Sequence, residues 1–137
     1  MRVVVHVDGG ARGNPGPAAV GVVVARPDGD LLDEFAEPIG VATNNVAEYR
    51  AALRGVQRAI ELGATEVELV NDSELVARQL SGDYRVKHPA LRPLHADVLA
   101  ELARLERWSV RTVPREQNAR ADELVNAALD GGGAEYS

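Results

Sequence analysis

The apolar residues at the start of the chain follow a strand pattern. Residues 3–7 (VVVHV) are β-branched apart from one histidine, which is typical of a strand buried on both faces. A turn rich in glycine and proline, GGARGNPGP, separates this segment from AAVGVVVA, and a second turn at residues 27–29 precedes LLDEFAEPI. Three successive strands with short links predict an antiparallel meander.

The spacing of the apolar residues then changes to the helical period. Five of them recur at steps of three and four and predict a long helix: Val46, Tyr49, Leu53, Val56 and Ile60. Thr43 or Asn44 is expected to cap the start of this helix, and Gly63 is expected to end it.

Strands and helices alternate beyond this first helix. VELV predicts a fourth strand, closed by Asn71 and Asp72, and WSVRTV predicts a fifth. Between them we expect a short helix over residues 73–80, a polar loop, SGDYRVKHP, and a leucine-spaced helix over residues 91–105; a closing helix is expected over residues 119–129. The order predicts an α/β domain with a mixed five-stranded sheet, three antiparallel strands followed by two parallel ones, flanked by helices.

Length and composition predict one globular domain. A chain of 137 residues, 45% hydrophobic and 26% charged, suits a single soluble unit. Its apolar runs are too short to span a bilayer or to form a signal peptide, and the lack of cysteine excludes a disulfide framework. We therefore expect a cytoplasmic monomer with no membrane partner. Residues 1–130 would form the domain, and residues 131–137 a flexible glycine-rich tail or the start of a linker to a second domain.

The net charge limits how the protein can bind nucleic acid. Fifteen basic residues stand against 21 acidic ones, which gives a net charge of −6. Nonspecific binding to phosphates requires a positive surface, so any contact with nucleic acid must be local.

Four acidic residues are placed where their side chains can meet. Asp8 and Asp72 end predicted strands, and ligands of open α/β sheets bind beyond the carboxyl ends of parallel strands. Glu48 and Asp122 lie near the starts of two predicted helices, so both can reach the same edge. Four adjacent carboxylates repel one another unless cations neutralise them, and an oxygen-only set favours Mg²⁺ or Mn²⁺ over zinc. Each acid also fits a turn or a helix cap, so spacing alone leaves both interpretations open.

The segments around these acids resemble type 1 ribonuclease H. They are VDGGARGNPGP, ATNNVAEYRA, VNDSELV and PREQNARADELVNAAL, and the likeness extends from residue 2 to about residue 129. The resemblance implies the ribonuclease H-like fold and an enzyme that hydrolyses the RNA strand of RNA–DNA hybrids to 5′-phosphate and 3′-hydroxyl products. It also implies that Asp8, Glu48, Asp72 and Asp122 are catalytic ligands of two Mg²⁺ ions, with Mn²⁺ as an alternative, and that Glu48 lies near the 2′-hydroxyl.

The resemblance also implies a set of substrate-binding residues. Asn14, Asn44 and Asn45 match polar residues that read the minor groove of the hybrid, and a carboxamide can both donate to and accept from a 2′-hydroxyl. Thr43 matches a position that helps to hold a phosphate of the DNA strand. Helix capping is the alternative role for this run of residues, and the two roles are compatible.

Two features depart from the pattern of many relatives. Many carry a histidine in the loop after the fifth strand, where this chain has Arg115, which stays charged and can assist catalysis by its charge but not as a general base. The extra basic helix and loop of some relatives is missing as well. Arg85, Lys87 and Arg92 are the nearest candidates for phosphate contacts, and Tyr84 could pack on a deoxyribose or simply on the protein.

Two other functions remain as alternatives at this point. One is a module that binds hybrids without cleaving them, which the presence of all four acids disfavours. The other is a nuclease of the same fold that acts on another substrate, such as a DNA junction; the asparagines argue against it through the resemblance.

Overall fold

The computed structural model describes residues 1–134, with side chains through residue 131. The strands are β1 (Arg2–Ala11), β2 (Gly16–Ala25), β3 (Leu31–Ala42), β4 (Glu66–Asn71) and β5 (Arg107–Thr112). The helices are α1 (Asn44–Glu61), α2 (Glu74–Leu80), α3 (Arg92–Leu102) and α4 (Ala119–Ala134), and a 3₁₀ turn at Arg115–Asn118 leads into α4.

The strands form one sheet in the order β3-β2-β1-β4-β5. The pairs β1–β2 and β2–β3 are antiparallel, whereas β1–β4 and β4–β5 are parallel. This arrangement confirms the predicted mixed sheet, in which a meander is extended by two strands parallel to its first.

Strand β1 pairs with its two neighbours over different lengths. The parallel pairing with β4 ends at His6, opposite Val70, whereas the antiparallel pairing with β2 continues to Ala11. The prediction that this strand stops at Asp8 is therefore wrong, because the three residues after Asp8 keep their hydrogen-bonded register with β2. Asp8 lies just past the point where β1 and β4 cease to pair, so a gap opens beside it.

The main core lies between the sheet and α1. Val3, Val5 and Val7 alternate along β1 and are at most 1% exposed, which is the period of a strand that turns one face to the core. Helix α1 comes close to them because small residues line its buried face. A Cβ on Gly55 would lie 2.6 Å from Val7 Cγ1 and 2.9 Å from Val5 Cγ1.

Helix α4 covers the opposite face of the sheet. The closest approach is again at a glycine, since a Cβ on Gly21 of β2 would lie 2.5 Å from the carbonyl oxygen of Ala121. Strand β2 is consequently covered on both faces, which accounts for its nearly continuous burial.

The ends of the helices differ in part from the predicted ones. Thr43, not Asn44, caps α1, since its hydroxyl accepts a hydrogen bond from the Val46 amide at 3.2 Å, and Gly63 follows the helix with a φ of 94°. Helix α3 ends at Leu102, so the prediction that it reaches Leu105 is wrong. Leu105 lies in the turn that follows and still packs against the core, which explains its place in the apolar spacing.

The last helix extends beyond the predicted one. It continues through Ala134, so residues 131–134, which were predicted to form a flexible tail or the start of a linker, are helical, while residues 135–137 lie outside the described residues. The domain bounds of 1–130 stay a prediction. Among the described helices there is none with the length and hydropathy needed to cross a membrane.

We predict that Gly55→Ala destabilises the protein by about 1–3 kcal/mol, because the added methyl group must push aside two buried valines of β1. Urea unfolding followed by circular dichroism measures the change. Gly131→Ala is the matched control, since a Cβ there meets nothing within 4 Å and the substitution should be neutral or stabilise helix α4 by up to about 1 kcal/mol. Equal stability of Gly55→Ala and the parent protein would contradict the close packing of α1.

Candidate active site

The four candidate acids line one cleft at the edge of the sheet. The cleft has a volume of about 270 Å³ and is bordered by Asp8, Glu48, Asp72 and Asp122, which come from four separate elements. Residues far apart in the chain thus meet where the sequence predicted that they could.

Local structure explains how each acid reaches the cleft. Gly9 faces α1 so closely that a Cβ there would lie 2.1 Å from the carbonyl oxygen of Ala47. Because successive side chains of a strand point to opposite faces, Asp8 lies on the face of β1 away from α1. Asp72 directly follows β4, and Glu48 lies on the second turn of α1. Asp122 occupies the first turn of α4.

Burial and the neighbouring acids disfavour ionisation of Asp8 and Glu48. Burial is the largest cause that raises the pKa of Asp8, and together with the charge of Asp72, a hydrogen bond with Asp122 and the charges of Asp122 and Glu48 it brings this pKa to about 8. Burial also raises the pKa of Glu48, against a hydrogen bond from Ser73 and the charge of Arg115, which lower it. Full ionisation of the acids in this cleft is therefore unfavourable without a further positive charge.

Two carboxylate oxygens in the cleft lack a hydrogen-bond partner. They are Glu48 Oε2 and Asp72 Oδ2, both buried, and an unsatisfied buried acceptor is costly, more so when it is charged. Within the described residues, no three or more acidic, histidine or cysteine side chains lie in an arrangement that could by itself hold a metal ion. An open set of oxygen ligands nevertheless fits Mg²⁺, which keeps several waters and takes only one or two carboxylates together with substrate phosphates. The residues present therefore fit a hard divalent cation.

Two asparagines join the loop after β1 to the start of α1. The side-chain oxygen of Asn14 accepts a hydrogen bond from the Asn44 amide at 3.0 Å, and the side-chain oxygen of Asn44 accepts one from the Ala11 amide at 2.9 Å. Asn44 also lines the cleft. Asn45 is exposed in the first turn of α1, two residues after the Thr43 cap.

The structure brings Arg115 to the cleft but not the loop residues after α2. Arg115 lines the cleft at the start of the 3₁₀ turn. Tyr84, Arg85 and Lys87 are exposed in the loop between α2 and α3, and none of them borders the cleft. The guanidinium of Arg78 lies 5.3 Å from the centre of the Tyr84 ring, so one face of that ring is already covered.

Three further polar residues near the acids were missed by sequence reasoning. Asn118 is 1% exposed and donates to the carbonyl of Val7 at 2.9 Å, which ties the start of α4 to the residue before Asp8. The sequence could have indicated Asn118 only by its position one helical turn before Asp122. Arg12 and Asn126 border the cleft as well, and Asn126 lies one turn after Asp122.

The chain is similar to known proteins over nearly its full length. A family described as reverse transcriptase-like matches residues 6–128. The crystal structure of RNase H1 from Halobacterium salinarum has 44% sequence identity and a TM-score of 0.94, with 96% of this chain and 99% of that chain covered. This chain belongs to the type 1 ribonuclease H family. LC11-RNase H1, solved in complex with an RNA/DNA hybrid, has 44% identity and a TM-score of 0.91, with 95% and 98% of the two chains covered.

Some relatives of this ribonuclease H family member are longer. A bifunctional protein of Mycobacterium tuberculosis is 47% identical over 131 residues, which are 95% of this chain and 36% of that protein. The chain also spans 65% of the length of the ribonuclease HI of Halobacterium salinarum.

We predict that the metal-free protein loses stability as the pH rises from about 4 to about 8. Between the ordinary pKa of an aspartate, 3.8, and the folded-state value of about 8, the folded protein holds a proton on Asp8 that the unfolded chain has released. The free energy of unfolding therefore falls with rising pH across this window. Thermal unfolding in a chelating buffer at pH 5 and pH 8 measures the loss.

Asp72→Asn should make that loss smaller, because it removes the neighbouring charge that contributes most to the raised pKa of Asp8. Asp97→Asn, at an exposed position of α3, is the matched control and should leave the pH dependence unchanged. If Asp72→Asn lost as much stability between pH 5 and pH 8 as the control, repulsion within the cleft would not be the cause.

Proposed function

We propose that this protein is a divalent-metal-dependent endonuclease that hydrolyses the RNA strand of RNA–DNA hybrids and leaves 5′-phosphate and 3′-hydroxyl ends. The observation that carries the proposal is the single cleft in which four acids from four elements meet, with two buried carboxylate oxygens left without partners. The hybrid seen in the complex of LC11-RNase H1 supports the substrate.

Asp8, Glu48, Asp72 and Asp122 would hold the metal in this cleft. A pair of Mg²⁺ ions, or Mn²⁺ ions, held by these acids would supply activation of the attacking water and stabilisation of the leaving oxygen. A bound cation would also lower the raised pKa of Asp8, because its positive charge would offset the repulsion from the neighbouring acids and favour the ionised carboxylate.

The asparagines would select the RNA strand. Asn14 and Asn44 use their side-chain oxygens for hydrogen bonds to the backbone, which fixes the positions of both side chains and leaves each amide nitrogen to donate. Such a donor can bind a 2′-hydroxyl, the group that separates RNA from DNA. Asn45 and Thr43 extend the same surface at the start of α1, where Thr43 would contact a phosphate of the DNA strand.

Other parts of the surface would bind the duplex more weakly. Tyr84, Arg85 and Lys87 lie outside the cleft in an exposed loop, so their contacts would fall on a more distant part of the hybrid. The longer mycobacterial relative is consistent with a ribonuclease H domain that is fused to a second domain. A cytoplasmic location and a monomeric state stay predictions from the sequence.

We predict that the protein cleaves RNA paired with DNA in the presence of Mg²⁺, and that it leaves the same RNA paired with RNA, duplex DNA and a DNA junction intact. Asp72→Asn should abolish cleavage while the protein stays folded, because it removes a carboxylate of the metal site. Gel analysis of end-labelled strands measures the products and their ends. Binding of the hybrid without cleavage in either Mg²⁺ or Mn²⁺ would favour a binding module, and cleavage of the junction would favour the other nuclease.

Arg115→Gln should lower turnover at saturating Mg²⁺ by roughly tenfold, because the substitution removes a charge that lines the cleft and can bind a phosphate. Steady-state kinetics on the hybrid measures this effect. Arg115→Lys keeps the charge and should retain much more of the turnover than Arg115→Gln. Undiminished turnover of Arg115→Gln would rule out a role for this charge.

A further inference from the structure

Arg12 is a second arginine on the border of the acid cleft. It lies in the turn between β1 and β2, and its side chain is 48% exposed. Among the described residues that line the cleft, Arg12 and Arg115 are the basic ones, against four acids. A phosphodiester that approaches this cleft therefore meets strong repulsion, which these two positive charges can counter.

Helix α4 holds the Arg12 side chain in place. Arg12 Nη1 forms an ion pair with Asp130 Oδ1, and Nη2 donates to Asn126 Oδ1 at 3.5 Å. The amide of Asn126 in turn donates to Asp122 Oδ2 at 3.4 Å. Because Asp122, Asn126 and Asp130 follow at steps of four residues, they share one face of the helix. The side chain of Asn126 therefore links the guanidinium of Arg12 to Asp122, one of the acids of the cleft.

These contacts leave Arg12 able to bind another group. A guanidinium has five N–H donors, and the two hydrogen bonds formed with described residues use two of them. The ion pair with Asp130 is exposed, with side-chain exposures of 48% and 66%, and exposed pairs contribute little stability. A phosphate can therefore share or replace Asp130 at small cost, and its oxygens match the bidentate geometry of arginine.

We propose that Arg12 binds a phosphodiester group of the RNA strand beside the group that is cleaved. This inference rests on the proposed function, since it assumes that the RNA strand occupies the cleft. Arg12 lies on the same turn as Asn14, so one short segment contacts both the phosphate and the 2′-hydroxyl of that strand. Arg12 thus adds to Arg115 a second positive charge at the cleft of a chain whose net charge is −6.

The test measures binding without cleavage. Asp72→Asn serves as the parent, and its affinity for a labelled RNA–DNA hybrid is followed by fluorescence anisotropy at fixed Mg²⁺ over a series of KCl concentrations. Arg12→Gln added to this parent should weaken binding at low salt by roughly tenfold and reduce the slope of log affinity against log salt by about one, because one phosphate contact is lost. Arg12→Lys should retain the slope, since it keeps the charge.

Arg104→Gln is the matched control. Arg104 is an exposed arginine just after α3 that forms an ion pair with Glu101 and does not border the cleft, so its substitution makes the same change in net charge. Its salt slope should equal that of the parent.

Two results would overturn the role of Arg12. One is an equal slope for Arg12→Gln and Arg104→Gln. The other is weaker binding by Arg12→Gln and Arg12→Lys alike, together with a loss of thermal stability in both, which would make Arg12 a structural clamp on α4. If the Asp72→Asn parent, shown by circular dichroism to be folded, failed to bind the hybrid at any salt concentration, the proposed function itself would fail and this inference with it.

Discussion

Mutual repulsion among four partly buried carboxylates is the constraint on which the rest of this structure depends. Burial and the charges of the neighbouring acids together raise the pKa of Asp8 to about 8. Such a cluster persists only if the surrounding fold is stable enough to hold it. The fold meets this requirement by taking each acid from a different element, so that the sheet, α1 and α4 would all have to move before the acids could separate.

Close packing of helices on both faces of the sheet supports this arrangement. Glycines at Gly9, Gly21 and Gly55 let α1 and α4 approach the two faces of the sheet, and a Cβ at any of them would lie within 3 Å of a neighbouring atom. Close approach brings Glu48 and Asp122 to the end of the β1–β4 pairing, where Asp8 and Asp72 project. Asn118 adds a direct tie, since its amide donates to the carbonyl of Val7. Close packing on both faces of the sheet thus fixes the positions of the acids that line the cleft.

Much of this could be predicted from the sequence, because the relevant signals are local. The period of the apolar residues indicated the five strands and the order of the helices, and the positions of Asp8 and Asp72 at strand ends indicated a shared edge. Contacts that depend on tertiary structure could not be read in this way. The extension of β1 past Asp8 requires its pairing with β2, and the apolar spacing placed Leu105 on a helix although it packs from a turn.

Polar residues that support the acids were the hardest to predict, and the reason is physical. Asn118, Asn126 and Arg12 are residue types that are common in helices and turns. Their hydrogen bonds join residues more than 100 positions apart, between Asn118 and Val7 and between Arg12 and Asn126, and Asn126 also bonds to Asp122 one helical turn before it. The arginine is the most informative of them. A chain with six excess negative charges cannot attract a polyanion through its overall field. For the proposed hybrid substrate, affinity must come from charges whose positions are fixed in the cleft, and the guanidinium that Asn126 and Asp130 hold is proposed to supply one of them.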